Sequence, residues 1–138
     1  VRLLHASGGR LGGNDGLVRM LARYRAFADP LAKKAFLFAK IAERRGWLAV
    51  QDPDAWEVAA DSVLMRLALR SGLVAPGDLN AVRAATRAAR KALAVEAAIP
   101  VPVLDDLLWE LGREDPDLLG RDAGDLSEPA RDPASAWY

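Results

Sequence analysis

The chain has 138 residues, no cysteine and one histidine. The lack of cysteine excludes disulfides, thiolate zinc sites and cysteine-bound iron–sulfur clusters. The one histidine, His5, stands near an end of the chain, so we expect neither a metal site nor a cofactor. No apolar run approaches the roughly 20 residues that cross a bilayer, and no signal peptide is visible. We therefore expect a cytoplasmic protein without a membrane partner.

β-Branched residues are also scarce, whereas alanine and leucine are abundant, and 51% of the residues are hydrophobic. This composition favours helix over long windows and provides enough apolar side chains for one core. The fold class expected is all-α. Capping and breaking residues divide the chain into a flexible segment over 1–13, a helical domain over 14–113 and an acidic, loosely ordered tail over 114–138.

Helix boundaries follow from local signals. Asn14 or Asp15 can cap a helix that runs to about Phe27, and Asp29-Pro30 and Asp52-Pro53 are start signals. Asp61 stands where a side chain caps the next helix, with Leu64, Leu67 and Ala68 facing inward, and a long helix begins at Asp78. Gly46, Gly72 and Gly112 stand where helices end. Periodicity predicts that an apolar stripe on the second of these helices faces the core, formed by Leu37, Phe38 and Ile41. In the long helix over 78–98, it predicts a buried side with Leu79, Val82, Ala89 and Leu93.

The formal net charge of zero conceals an asymmetry. Residues 1–91 contain 16 Lys and Arg against 8 Asp and Glu, and residues 92–138 contain 3 against 11. Such a separation favours a basic face that meets a polyanion. On the exposed side of the long helix, the residues predicted to contact nucleic-acid phosphates are Arg83, Arg87, Arg90 and Lys91.

Two pairs of residues and one single aspartate have side chains suited to catalysis or base binding. Lys34 and Phe38 are four apart, so ammonium and ring share one helical face; a lysine against apolar surface loses hydration, which favours the neutral, nucleophilic amine. Asp61 caps a helix after an apolar run, where the dipole keeps a carboxylate ionised. Asp105 and Trp109, again four apart, offer a carboxylate and an indole to a planar base.

These residues resemble the archaeal 8-oxoguanine DNA glycosylases of the helix-hairpin-helix glycosylase superfamily. DSVLMRLALRSGLV at 61–74 is similar to the superfamily's Asp and following helix. The Lys34-to-Phe38 helix, Ile99-Pro100 and LDDLLWELGR at 104–113 are similar to the archaeal group. The resemblance covers residues 30–113. It implies a glycosylase-like helical fold, and only 33 residues precede Lys34 where family members have a substantial helical region. The N-terminal half is therefore expected to be absent or completed by an upstream domain or protein partner.

The resemblance also implies the roles of individual residues. Lys34 is the nucleophile and Schiff-base former, and Asp61 assists at the sugar. Phe38 and Trp109 sandwich the flipped base, and Asp105 hydrogen-bonds it. The function expected is excision of 8-oxoguanine from damaged duplex DNA with lyase activity, and no cofactor is needed.

Two alternatives remain open. The first is a non-catalytic module that binds nucleic acid or protein through a truncated glycosylase fold. The second is a nucleoside hydrolase similar to the queuosine-salvage enzymes, whose K-[KR]-A helix resembles Lys33-Lys34-Ala35 and whose earlier aspartate resembles Asp52. A shift of register by one residue makes Lys33 the nucleophile.

Overall fold

The computed structural model describes residues 2–131 and residue 133, and Trp137 and Tyr138 lie outside them. These residues form six α-helices and no strand, which confirms the all-α prediction. The helices are α1 (Arg2–Ala6), α2 (Leu17–Leu21), α3 (Lys33–Arg44), α4 (Ser62–Arg70), α5 (Leu79–Glu96) and α6 (Val101–Glu114), with 3-10 turns at Arg25–Phe27 and Pro53–Ala55. The chain divides into two compact units at residues 59 and 60.

The segment 1–13, expected to be flexible, has a defined structure in the first unit. It begins with α1, and Leu11 is fully buried. The Asp52 carboxylate accepts hydrogen bonds from the backbone N–H groups of Leu11 (2.7 Å) and Gly12 (2.9 Å). These bonds give hydrogen-bond partners to two backbone amides that the fold shields from water. Asp52 thus links the loop at Leu11 and Gly12, about 40 residues earlier in the chain, to the 3-10 turn at Pro53–Ala55.

The helix expected from 14 to 27 is much shorter, because α2 covers only Leu17–Leu21. Its first turn follows Gly16, and neither Asn14 nor Asp15 caps it. α3 begins three residues after Pro30: the Asp29 carboxylate accepts from the N–H groups of Leu31 and Lys33 (both 3.1 Å), and Ala32 has a left-handed φ of 50°. Asp29 therefore shapes the turn that leads into α3.

The predicted inner stripe of α3 is wrong. Leu37 and Ile41 are 41% and 42% exposed, whereas Phe36 is buried and its ring lies 6.3 Å from the buried ring of Trp56. The buried side of α3 consists mainly of small residues next to Phe36: Ala35, Ala39 and Ala42, with Lys40. Alanine is only weakly hydrophobic, so the larger Leu37 and Ile41 determined which face of the helix the sequence pattern predicted to be buried.

In the second unit, α4, α5 and α6 pack against one another. α4 is apolar on nearly all sides, and Leu64, Leu67 and Ala68 are buried as predicted. Gly112 does not end α6, which continues to Glu114. It lies instead against Leu67 of α4, where a Cβ would overlap the leucine side chain. The close packing of these two helices therefore requires a residue without a side chain at position 112.

Arg70, the last residue of α4, anchors part of the acidic tail. Its Nε lies 2.5 Å from the Asp117 carboxylate, and its Nη2 lies 2.8 Å from Asp125. The N–H group of Ala123 donates to the Arg70 carbonyl at 3.0 Å. Residues 115–131 contain no helix, but these contacts fix the part of the tail nearest α4.

Asp117→Asn is expected to lower stability at neutral pH and to have a smaller effect in acid. The hydrogen bond from Arg70 holds the pKa of the Asp117 carboxyl below its ordinary value. A lowered folded-state pKa contributes stability that is complete above the ordinary value and is lost as the pH falls through the lowered one. Thermal unfolding of both proteins across this range measures the difference. A difference that stays constant into acid would refute the ion pair's role.

Candidate functional site

Lys34 and Phe38 lie one turn apart on α3 in the first unit. Both side chains are half-buried. The Phe38 ring meets the ring of Phe27 edge to face, with centroids 6.2 Å apart and planes at 72°. Phe27, in the 3-10 turn before α3, was not singled out by the sequence, because nothing in the spacing links it to Phe38. It orients the Phe38 ring and limits which of its surfaces a ligand can reach.

Asp61 caps α4 in the second unit, as its sequence context predicted. Its backbone is extended, and its Oδ1 accepts a hydrogen bond from the Leu64 N–H group at 3.0 Å. The bond uses one carboxylate oxygen and leaves Oδ2 available to a second partner, and the residue is half-buried. Asp61 therefore combines a helix cap with a second carboxylate oxygen that accepts no hydrogen bond within the described residues.

Asp105 and Trp109 lie one turn apart on α6 and differ in exposure. Asp105 is 6% exposed, whereas the Trp109 side chain is 41% exposed. Arg113, one turn further along, places its guanidinium carbon 4.9 Å from the centroid of the Trp109 ring. Arg113 was missed by the sequence reasoning, although its i+4 spacing from Trp109 was the signal that could have found it. Trp109 thus presents an accessible aromatic surface beside a cation.

The exposed basic face predicted for α5 is wrong in two of its four members. Arg83 and Arg90 are 2% and 1% exposed, and only Arg87 and Lys91 are half-buried. Leu93, predicted to be buried, is 39% exposed. The buried side of the helix is formed by Val82, Arg83, Thr86, Arg90 and Ala94. Long arginine stems pack like apolar side chains, so residue type alone assigned them to the wrong side of an alanine-rich helix.

Asp52, the possible counterpart of the earlier aspartate in nucleoside hydrolases, has its carboxylate engaged by two backbone amides. A recess of about 270 Å³ in the first unit is lined by residues 4, 5, 8, 9, 47–49 and 51, which include His5 and Trp47 but none of the predicted catalytic residues. Within the described residues, no three His, Asp or Glu side chains are grouped to hold a metal ion.

No family model, curated protein or solved structure matches the chain. Among the described helices, none is both long enough and apolar enough to cross a membrane. The candidate residues fall in both units: Lys34 and Phe38 lie in the first, and Asp61, Asp105 and Trp109 lie in the second.

Proposed function

We propose that the protein is a DNA glycosylase with lyase activity that excises 8-oxoguanine from duplex DNA. The observation that carries the proposal is the state of Asp61, a helix-capping carboxylate with one oxygen left for a ligand. The accessible Trp109 ring adds support because a flipped base needs a stacking surface. The resemblance of residues 30–113 to the archaeal glycosylases joins these features to Lys34.

In the proposed reaction, Lys34 is the nucleophile and Asp61 stabilises positive charge. The Lys34 amine attacks the sugar C1′ through its nitrogen lone pair, the bond from C1′ to the base nitrogen breaks, and the base leaves after taking up a proton. The Asp61 carboxylate stabilises the positive charge that develops on the sugar. Loss of protons from the lysine nitrogen and opening of the sugar give a Schiff base. Removal of a C2′ proton then expels the 3′ phosphate and cuts the strand.

Borohydride trapping tests this proposal directly. Reduction of the Schiff base joins the protein covalently to an oligonucleotide duplex that contains 8-oxoguanine. We expect an adduct with the unmodified protein, and none with Lys34→Ala, since the substituted side chain has no amine. The matched control is Lys33→Ala, which removes the neighbouring lysine of the same helix and is expected to retain the adduct.

Each other outcome contradicts the assignment in a distinct way. An adduct that is lost only in Lys33→Ala would move the nucleophile by one residue. Duplex binding without base release or adduct would favour the non-catalytic module. Base release from free nucleosides but not from DNA would favour the hydrolase. Circular dichroism of both variants shows whether they are folded before these comparisons are made.

A further inference from the structure

Arg90 is a buried cation whose hydrogen-bonding groups are unused in the described part of the chain. Its side chain is 1% exposed, and Nε, Nη1 and Nη2 have no hydrogen-bond partner. Burial lowers the pKa of the guanidinium to about 10, and it therefore stays charged at neutral pH. A buried charge without partners is strongly destabilising, because the solvation it loses is not replaced. Arg90 therefore requires a compensating group.

Thr86 lies four residues before Arg90 on the same buried side of α5. It is fully buried, and its Oγ1 also has no hydrogen-bond partner. Residues four apart on a helix are neighbours, so the hydroxyl and the guanidinium belong to one cluster of donors. The hydroxyl offers one hydrogen to an acceptor, and the guanidinium offers five in a fixed planar arrangement.

We propose that Thr86 and Arg90 form a binding site for a small free oxyanion of the phosphate class. A tetrahedral oxyanion supplies both the negative charge that Arg90 lacks and several acceptor oxygens for the unused donors. The burial of Thr86 and Arg90 distinguishes this site from the surface contacts with nucleic-acid phosphates that were expected from the sequence.

Entry to such a site requires local opening, because neither side chain is accessible in the closed structure. We therefore expect slow exchange, and retention of the anion through purification in phosphate or sulfate buffer. Native mass spectrometry after transfer to a volatile buffer detects a retained anion as one added mass. Anion binding by Thr86 and Arg90 does not depend on glycosylase activity and is measured separately from it.

Thermal unfolding in inorganic phosphate, with chloride at equal ionic strength as the reference, tests the site. A ligand that binds only the folded protein raises the melting temperature with concentration, by about 9 °C at a hundredfold excess over its Kd. We expect this rise in the unmodified protein and its loss in Arg90→Met, which keeps length and removes charge. Thr86→Val is expected to reduce the rise, and Arg23→Met, at an exposed arginine outside α5, is expected to keep it.

Several results would overturn the site. No rise in the unmodified protein would mean that water alone satisfies Arg90. An equal rise in Arg90→Met would place phosphate elsewhere on the surface, and if that variant does not fold, an unchanged rise in Thr86→Val has the same meaning. Parallel titrations with a mononucleotide and with duplex DNA identify the source of the phosphate. A rise confined to these two would exclude a site for a free anion.

Discussion

Replacing Asp61 by asparagine is expected to lower base release at least about a hundredfold while changing the melting temperature little. Asparagine caps helices about as well as aspartate, so its Oδ1 can keep the hydrogen bond from the Leu64 N–H group. The substitution removes the negative charge that, in the proposed mechanism, stabilises the developing sugar cation. Single-turnover assays with an 8-oxoguanine duplex measure the rate, and binding assays show whether the substrate is still held.

The chain offers a close control for this substitution in Asp78. Its carboxylate caps α5 by accepting from the Ala81 N–H group at 2.9 Å, which repeats the geometry of Asp61 on α4. Asp78→Asn therefore makes the same chemical change at the same position of a helix, outside the candidate site. We expect both variants to lose less than about 1 kcal/mol through the weakened interaction with the helix dipole. Only Asp61→Asn should lose base release.

Near-normal turnover by Asp61→Asn would leave Asp61 as a helix cap and remove it from the mechanism. An equal loss of activity in both variants would point to a general effect on folding. A loss of substrate binding together with turnover would assign Asp61 to recognition of DNA rather than to stabilisation of the sugar.

The cap at Asp61 and the helix start at Asp78 were predictable from the sequence, whereas neither Asn14 nor Asp15 caps α2. Asp61 and Asp78 each accept from the N–H group three residues ahead, so the interaction and its sequence signal fall within one turn. The start of α3 shows the limit of that rule. The Asp29 carboxylate accepts hydrogen bonds from the N–H groups of Leu31 and Lys33. The helix nevertheless begins only at Lys33, because Ala32 has a left-handed backbone conformation.

Features that depend on distant residues were not predictable. Asp52 suggested a helix start or a catalytic counterpart, and its partners are the amides of Leu11 and Gly12. The burial of Arg90 likewise follows from what packs against α5, which an alanine-rich sequence does not specify. For the candidate site, sequence located the cap at Asp61 and the i+4 pairs, but not the ring contact of Phe27 or the cation beside Trp109.

Gly112 is the clearest case in which packing reverses a local rule. Glycine near the end of a helical pattern predicts a stop, and glycine inside a helix costs about 1 kcal/mol relative to alanine. On propensity alone, Gly112→Ala would stabilise α6. The structure predicts the opposite sign, because the new Cβ would overlap Leu67, which is 1% exposed and cannot move into solvent.

We expect Gly112→Ala to lower the free energy of unfolding by about 1 to 3 kcal/mol, the usual cost of forcing an extra carbon into a packed core. Urea unfolding measures this loss. Leu67→Ala alone should cost about 2 to 5 kcal/mol through the cavity that it leaves. The double variant should be less destabilised than the sum of the two, since the shortened side chain of residue 67 makes room for the added methyl group. If Gly112→Ala is neutral or stabilising, or if the two losses simply add, α4 and α6 do not meet closely at Gly112, and the glycine acts only through the backbone.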